Sequence, residues 1–467
     1  MNAAPARLTL EGWDRRYEEL RRAGLREPAY GGPLRRHVAD GDFRLLHLLF
    51  DNSAASLRLW NFLLTENDRL REARRQGRKL VGAMKDLGTV PVLACSLPNL
   101  TAFYPDGAWW TPCVMELSDR LFAVADALGV NETFCPVRAM LGAFVTGEHF
   151  PRPDLLVCSA GAVCDDFSAI AQRLNGLGYP ILWWEMPHRR APEPGEEALQ
   201  LPGGFAATRA QRDFVEEELR RVADALGRLA GVPLDEAALR AGIARANVVR
   251  RLLAALREEV YTAPAAPLPS LEMLVAEMLA IHFCSDLDES IAVLGELLDE
   301  ARRRRAAGAA ILPADAVRVF WVNPVADLRA MNLLEDCGGR VCGTEYMFSH
   351  ALDEIPEDLP PFAALAGMAL ADPMAGPAAD RAARIVRDAA RLGAEALVVS
   401  RIPGASHCAS EGRQIGAAVA EQLGLPWIEL EVPPLSEAMS ASLRTRLEAL
   451  VETVKGRRSR KTCATQG

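Results

Sequence analysis

Residues 178–187 read GYPILWWEMP, and residues 424–433 read GLPWIELEVP. The two align without a gap, with Gly178/Gly424, Pro180/Pro426, Glu185/Glu431 and Pro187/Pro433 in common. Between the shared residues lie apolar runs of strand length, each opened by a turn signal. A second pair lies upstream: DLLVCSAGAVC at residues 154–164 parallels ALVVSRIPGASHC at residues 396–408. Both read as a strand, then Gly-Ala, then a cysteine. Cys164 precedes Gly178 by 14 residues and Cys408 precedes Gly424 by 16. Many strand–helix–strand segments share a Gly-x-Pro start, so the corresponding cysteines are what mark this pair as a repeat. The repeat predicts two similar α/β domains with parallel sheets. Open α/β sheets bind ligands beyond the carboxyl ends of their strands, so two facing domains would point both cysteine loops into one cleft.

Working outward, residues 1–85 show apolar positions at helical spacing and read as an N-terminal helical region. Residues 86–205 form the first α/β domain, opening with the short apolar run VPVLACSLP at 90–98, read as a buried strand. Residues 206–310 read as helical again, interrupted by TAPAAPLP at 262–269. Residues 311–467 form the second α/β domain, with VRVFWVNP at 317–324 as its first strand, a closing helix at 437–456 and a loose basic tail.

Composition narrows the function classes. The chain has 467 residues, 50% hydrophobic and 25% charged, as expected of a globular protein of two or three domains. Its net charge of −9 carries no basic excess, which argues against a dedicated nucleic-acid partner. The longest uncharged run, Leu87 to Pro105, holds three prolines and polar residues, so no membrane span is expected. The N-terminus lacks the apolar core of a secretory signal and carries acids among its arginines, so a cytoplasmic location is expected. Ten cysteines are too few for a disulfide scaffold of this size. In a reducing compartment they are buried small hydrophobes, reactive thiols or metal ligands.

Cys135, Cys164 and Cys408 lie in Pro/Gly-containing loops or at element starts, where a thiolate can reach a ligand. Sparse loop cysteines from distant positions suit an iron–sulfur cluster, although buried free thiols fit the same spacing. There is no C-x2-C pair, hence no ferredoxin run or zinc ribbon. Cys95, at the end of the first expected strand, is a fourth candidate. Cys337 and Cys342 form C-x4-C in a Gly-rich turn, so either could face the cleft. Cys158 and Cys284 read as structural, Cys463 lies in the tail, and Cys113 has no assigned role.

Taken in order, these residues resemble the 2-hydroxyacyl-CoA dehydratase family of the 2-hydroxyglutaryl-CoA dehydratase D-component type. That family includes benzoyl-CoA reductase subunits and double-cubane cluster proteins. The resemblance runs from about Gly82 to Arg457, through Cys95-Ser-Leu-Pro98, Cys135-Pro-Val-Arg138, Cys164-Asp165, Cys408 and the closing LRTRLEA at 443–449. It implies two flavodoxin-like doubly wound domains with helical additions and a 4Fe-4S cluster between them. Cys135, Cys164 and Cys408 match the family's three cluster ligands. It further implies an acyl-CoA thioester substrate, one low-potential electron from an ATP-dependent iron–sulfur activator protein, radical dehydration, and a homologous subunit as homo- or heterodimer. Asn99-Leu100 follows Pro98 where the family's opening motif carries an acidic residue. Counting Cys95, Cys337 and Cys342 makes six candidate thiolates, which would suit a double-cubane 8Fe-9S cluster. Benzoyl-CoA-type reduction, a double-cubane reductase of small molecules and a non-catalytic accessory subunit are the rival readings.

Polar residues complete the expectation. His407 and Ser406 adjoin Cys408 and read either as a proton donor and cluster-tuning hydrogen bond or as an ordinary loop cap. Arg138 and the run His188-Arg189-Arg190 offer charge-assisted bonds to CoA phosphates or are simply basic turns. Asp165 and Asp166 read as helix N-caps. Glu345 and His350 form a titratable pair suited to acid–base work or to a turn. No G-x-x-x-x-G-K-[ST] loop and no G-x-G-x-x-G after a strand is present, so an ATP-driven reaction would need a partner.

Overall fold

The computed structural model describes residues 4–465 except 26–31, 40–42, 85–87, 106–117, 324, 326, 347–348, 406–409 and 434–436. Two short strands, β1 (Arg7–Leu8) and β2 (Phe50–Asp51), pair antiparallel near the N-terminus. The first parallel sheet comprises β3 (Lys79–Met84), β4 (Leu100–Phe103), β5 (Leu155–Gly161) and β6 (Ile181–Met186), in spatial order β4-β3-β5-β6. A small antiparallel hairpin, β7 (Ala198–Gln200) and β8 (Ala206–Thr208), follows. The second parallel sheet comprises β9 (Val317–Val322), β10 (Gly339–Glu345), β11 (Ala396–Arg401) and β12 (Trp427–Glu431), in order β10-β9-β11-β12.

The two sheets share one winding, second-first-third-fourth, as in the flavodoxin-like order. The repeated segments occupy equivalent places: β6 and β12 are each the fourth strand, and β5 and β11 are each the third. The chain is thus two flavodoxin-like parallel-sheet domains with helical additions. β9 and β11 are buried along nearly their whole length, which is why they read as continuous apolar runs without alternation.

Between the domains lie four helices, Arg209–Ala230, Glu236–Tyr261, Ser270–His282 and Leu287–Ala306. Three start where a side chain meets an orphan amide: Thr208 accepts from Gln211, Asp235 from Ala238 and Asp286 from Glu289. Gly231, in the left-handed region, stops the first of them. The N-terminal helix Ala54–Leu64 packs on Leu287–Ala306. A buried ion pair, Arg304 with Asp51 at 2.6 Å, ties the two regions together.

Four local readings are corrected. Val90–Pro98 is not a strand: Val90–Cys95 is a helix, with Pro91 in its first turn. Pro there forfeits no hydrogen bond and presets φ. The first strand is instead Lys79–Met84, inside the stretch read as helical; Gly77, at φ +81°, turns the chain out of the preceding helix Glu66–Arg75. Residues 339–345 are strand β10 rather than a Gly-rich turn. The closing helix also continues through Thr465, where a loose tail was expected. No helix among the described residues is long and apolar enough to cross a membrane.

Candidate functional site

The carboxyl edge of the first sheet carries the loop after β5. Gly161 stands at φ +88°, where an added Cβ would lie 2.3 Å from the Met186 carbonyl. Val163 follows at φ +88°. A β-branched residue in this region is a genuine outlier, costing on the order of 1–3 kcal/mol. The strain sits immediately before Cys164, which is buried and occupies the N-cap of the helix Asp165–Gly176. Asp165 and Asp166 are therefore not the caps; they lie in the first turn, where acids complement the helix dipole. The Cys164 thiol faces the Asp166 carboxylate at 3.9 Å.

Cys135 is half-buried at the start of the turn Pro136–Arg138, and the helix that begins at Cys164 packs on that turn. The second domain joins them. After β11 the chain reaches Gly404 at φ +79°, where an added Cβ would lie 2.4 Å from the Phe134 carbonyl and 3.1 Å from the Cys135 nitrogen. The loop leading toward Cys408 thus rests on the Cys135 turn. Ser406, His407 and Cys408 themselves lie outside the described residues, as do Cys113, Trp109 and Trp110. Gly404→Ala is expected to lose about 1–3 kcal/mol of stability through steric overlap and a forbidden φ. Thermal unfolding checks this, and an unchanged midpoint would mean the two edges do not meet there.

Beyond this contact stands a buried charged network. Arg381, on the helix Ala378–Arg391, donates to both carboxylate oxygens of Glu345 at 3.0 and 2.6 Å. It also donates to Glu411 at 2.9 Å and to the Asn323 side chain at 2.5 Å. Asn323 follows β9, Glu345 ends β10, and Glu411 caps the helix Gly412–Leu423. One guanidinium therefore pins three chain segments at the carboxyl edge of the second sheet. Glu345 is committed to that role and is not a free acid or base. His350 is buried with Nδ1 3.8 Å from the Asp372 carboxylate. Burial, with the charge of Glu345, pushes the Asp372 carboxyl up to about 7. Asp372 and Arg381 had no motif to announce them; their partners come from distant segments.

The other candidates lie elsewhere. The helix Val90–Cys95 carries the chain back from the carboxyl to the amino edge of the first sheet, because β3 and β4 run parallel. Cys95 is thus at the opposite pole. Its thiol approaches the Cys284 carbonyl at 3.8 Å, and burial pushes it up to about 12. Cys95 and Cys284 line a cavity of about 690 Å³ there. Cys337 caps the returning helix Arg329–Asp336 at the amino edge of the second sheet, with its thiol 3.8 Å from the Arg444 carbonyl. Cys342 is enclosed within β10. Burial pushes these two thiols up to about 11 and about 12. The reading that Cys337 or Cys342 faces the cleft from a turn is corrected by the strand. Cys158 is core in β5, and Cys284 is buried at the turn Phe283–Ser285. Arg138 lays its guanidinium over Phe122 at 4.2 Å, with Asp126 at 3.5 Å. Among the described residues, no three His, Cys, Asp or Glu side chains are grouped to hold a metal ion.

A family model described as 2-hydroxyglutaryl-CoA dehydratase, D-component, matches residues 95–454. The chain belongs to that family. The match takes in β4 to β6 of the first sheet, the whole second sheet and the helices between them, so the 2-hydroxyglutaryl-CoA dehydratase D-component family covers Cys135, Cys164 and Cys408. The chain is accordingly a subunit of 2-hydroxyacyl-CoA dehydratase type. No curated protein matches it.

Proposed function

We propose that the chain is the iron–sulfur subunit of a 2-hydroxyacyl-CoA dehydratase, with one 4Fe-4S cluster on Cys135, Cys164 and Cys408. The observation that carries this reading is the seat of the Gly404 loop on the Cys135 turn, beside the helix begun by Cys164. The donor set fits such a group: thiols in adjoining loops outside any disulfide, one buried and one half-buried, at the edge where open sheets take ligands. When bound, the cluster would supply an iron position that polarises a thioester carbonyl and a store for one low-potential electron.

The chain's own residues do the rest. The helix dipole behind Cys164 favours negative charge at its sulfur. Arg381 holds Glu411, and through it the end of the segment that bears Cys408. Burial of the Cys164 loop excludes water from that side. With no phosphate-binding loop in the sequence, the electron comes from a separate ATP-hydrolysing activator protein, and a homologous subunit completes the enzyme. The amino-edge sites of Cys95 and Cys337 and the enclosure of Cys342 within β10 favour a single cubane over the bridged pair.

Strictly anaerobic purification with iron and sulfide analysis tests the reading. About four irons per chain are expected for a cubane. A folded, iron-free protein would overturn the proposal. Cys164→Ser is expected to lower bound iron severalfold. Cys342→Ser is expected to leave it unchanged; equal loss in both would remove the distinction between the two poles.

A further inference from the structure

The segment 187–208 leaves β6 of the first sheet and contacts the second domain before the helix Arg209–Ala230 begins. The contact is built from arginines, one ring and two glycines. The Arg189 amide donates to the Ala375 carbonyl at 2.6 Å. Its side chain is fully buried, with the guanidinium over the Phe205 ring at 4.0 Å. Gly376 comes so near that a Cβ there would stand 2.1 Å from Arg189 Nη2. From the other side, Arg384 faces the same ring at 5.8 Å. Gly203 sits at φ +75°, and a Cβ there would meet Arg384 Nη1 at 2.4 Å. Arg387 donates to the Gly203 carbonyl at 3.0 Å. Phe205 is thus clasped between guanidinium groups from the two domains.

Arg189 is the anomaly in this clasp. Among the described residues, none of its Nε, Nη1 or Nη2 atoms has a hydrogen-bond acceptor. It has an ion pair, with Asp380 3.4 Å from Nη2, outside hydrogen-bond geometry and with the carboxylate side chain 45% exposed. A guanidinium carries five donors, and enclosing it with one poorly aligned, half-exposed carboxylate is unfavourable. Burial accordingly lowers its pKa, against the pull of Asp380 and Asp372. The closed strap holds a charged group away from water, and opening it would hydrate that group.

We propose that Arg189 is a releasable latch between the two domains, closed by stacking and shape and kept near the point of opening by its own unmet hydrogen bonds. This rests on the strap alone and holds whether or not a cluster lies in the cleft. The sign of its energetics is what separates a latch from a clamp. Arg189→Met keeps the length and the packing on Phe205 and Gly376 but removes the charge. Asp380 loses little, being half in water. The methionine form should therefore stay closed longer.

Hydrogen exchange followed by mass spectrometry on the full chain tests this. In the unmodified protein, peptides from 187–208 and 372–378 should exchange together and before β5 and β11. Arg189→Met should slow the strap about tenfold. Arg189→Ala and Phe205→Leu, which remove the stack, should speed it about tenfold. Neither sheet should change. Acceleration in the methionine form, no change in Phe205→Leu, or strap exchange that occurs only with the sheets would each overturn the proposal.

Discussion

Arg381→Ala is expected to lower the unfolding free energy by about 3–5 kcal/mol, the usual loss when one partner of a buried ion pair is removed. Arg381 is wholly buried and meets two carboxylates. Removing it strands Glu345, 3% exposed, with no cation in hydrogen-bond reach, and frees Asn323 and Glu411 at the same time. Arg381→Lys should be intermediate, since an ammonium keeps the charge but not the fork that serves both Glu345 oxygens. Urea denaturation reads both. A loss below about 1 kcal/mol for the alanine form would mean the network is not what holds the ends of β9 and β10 together.

The second large effect is on pH dependence. An ordinary aspartate sits near 3.8, and Asp372 is pushed up to about 7 in the fold. Below about pH 4 both folded and unfolded chains hold this proton, and no penalty arises. As pH rises to about 7 the unfolded chain releases it and the folded chain keeps it, so stability falls across that window. Above about 7 the folded carboxylate ionises as well and the penalty is complete, roughly 4 kcal/mol for three pH units. Asp372→Asn cannot ionise, yet its side-chain oxygen can still accept from the Met374 amide, now bonded at 2.8 Å. The variant should match the parent near pH 4 and exceed it by up to about 4 kcal/mol at pH 8. Parallel stability curves from pH 4 to 8 would sink the assignment.

What could be read beforehand follows from how local each signal is. The repeated GYPILWWEMP and GLPWIELEVP segments carry turn, strand and exit within ten residues, and β6 and β12 follow directly. Val90–Cys95 failed because a short buried apolar run looks alike as strand or helix. The deciding residue, Pro91, marks a helix start and was read as part of the run. Strand β10 went unseen because Gly339, Cys342, Gly343 and Thr344 lack branched apolar character. They are small because neighbours crowd in: a Cβ at Gly343 would lie 2.7 Å from the Phe320 ring. The cysteine loops were legible as positions, but the pole each occupies was not. Cys95 and Cys342 needed the strand order, which no spacing encodes. Arg381 reaches partners 30, 36 and 58 residues away, and only the folded chain brings them to it.

Burial of the outlying cysteines has a consequence for their reactivity. With burial pushing their thiols up to about 12, Cys95 and Cys342 stay protonated at neutral pH. Soft metal ions and alkylating reagents react with thiolates, not thiols. Cys95 and Cys342 are therefore poor partners for either. Burial thus leaves these two sulfurs shielded from both kinds of reagent, and alkylation of the folded chain should spare them.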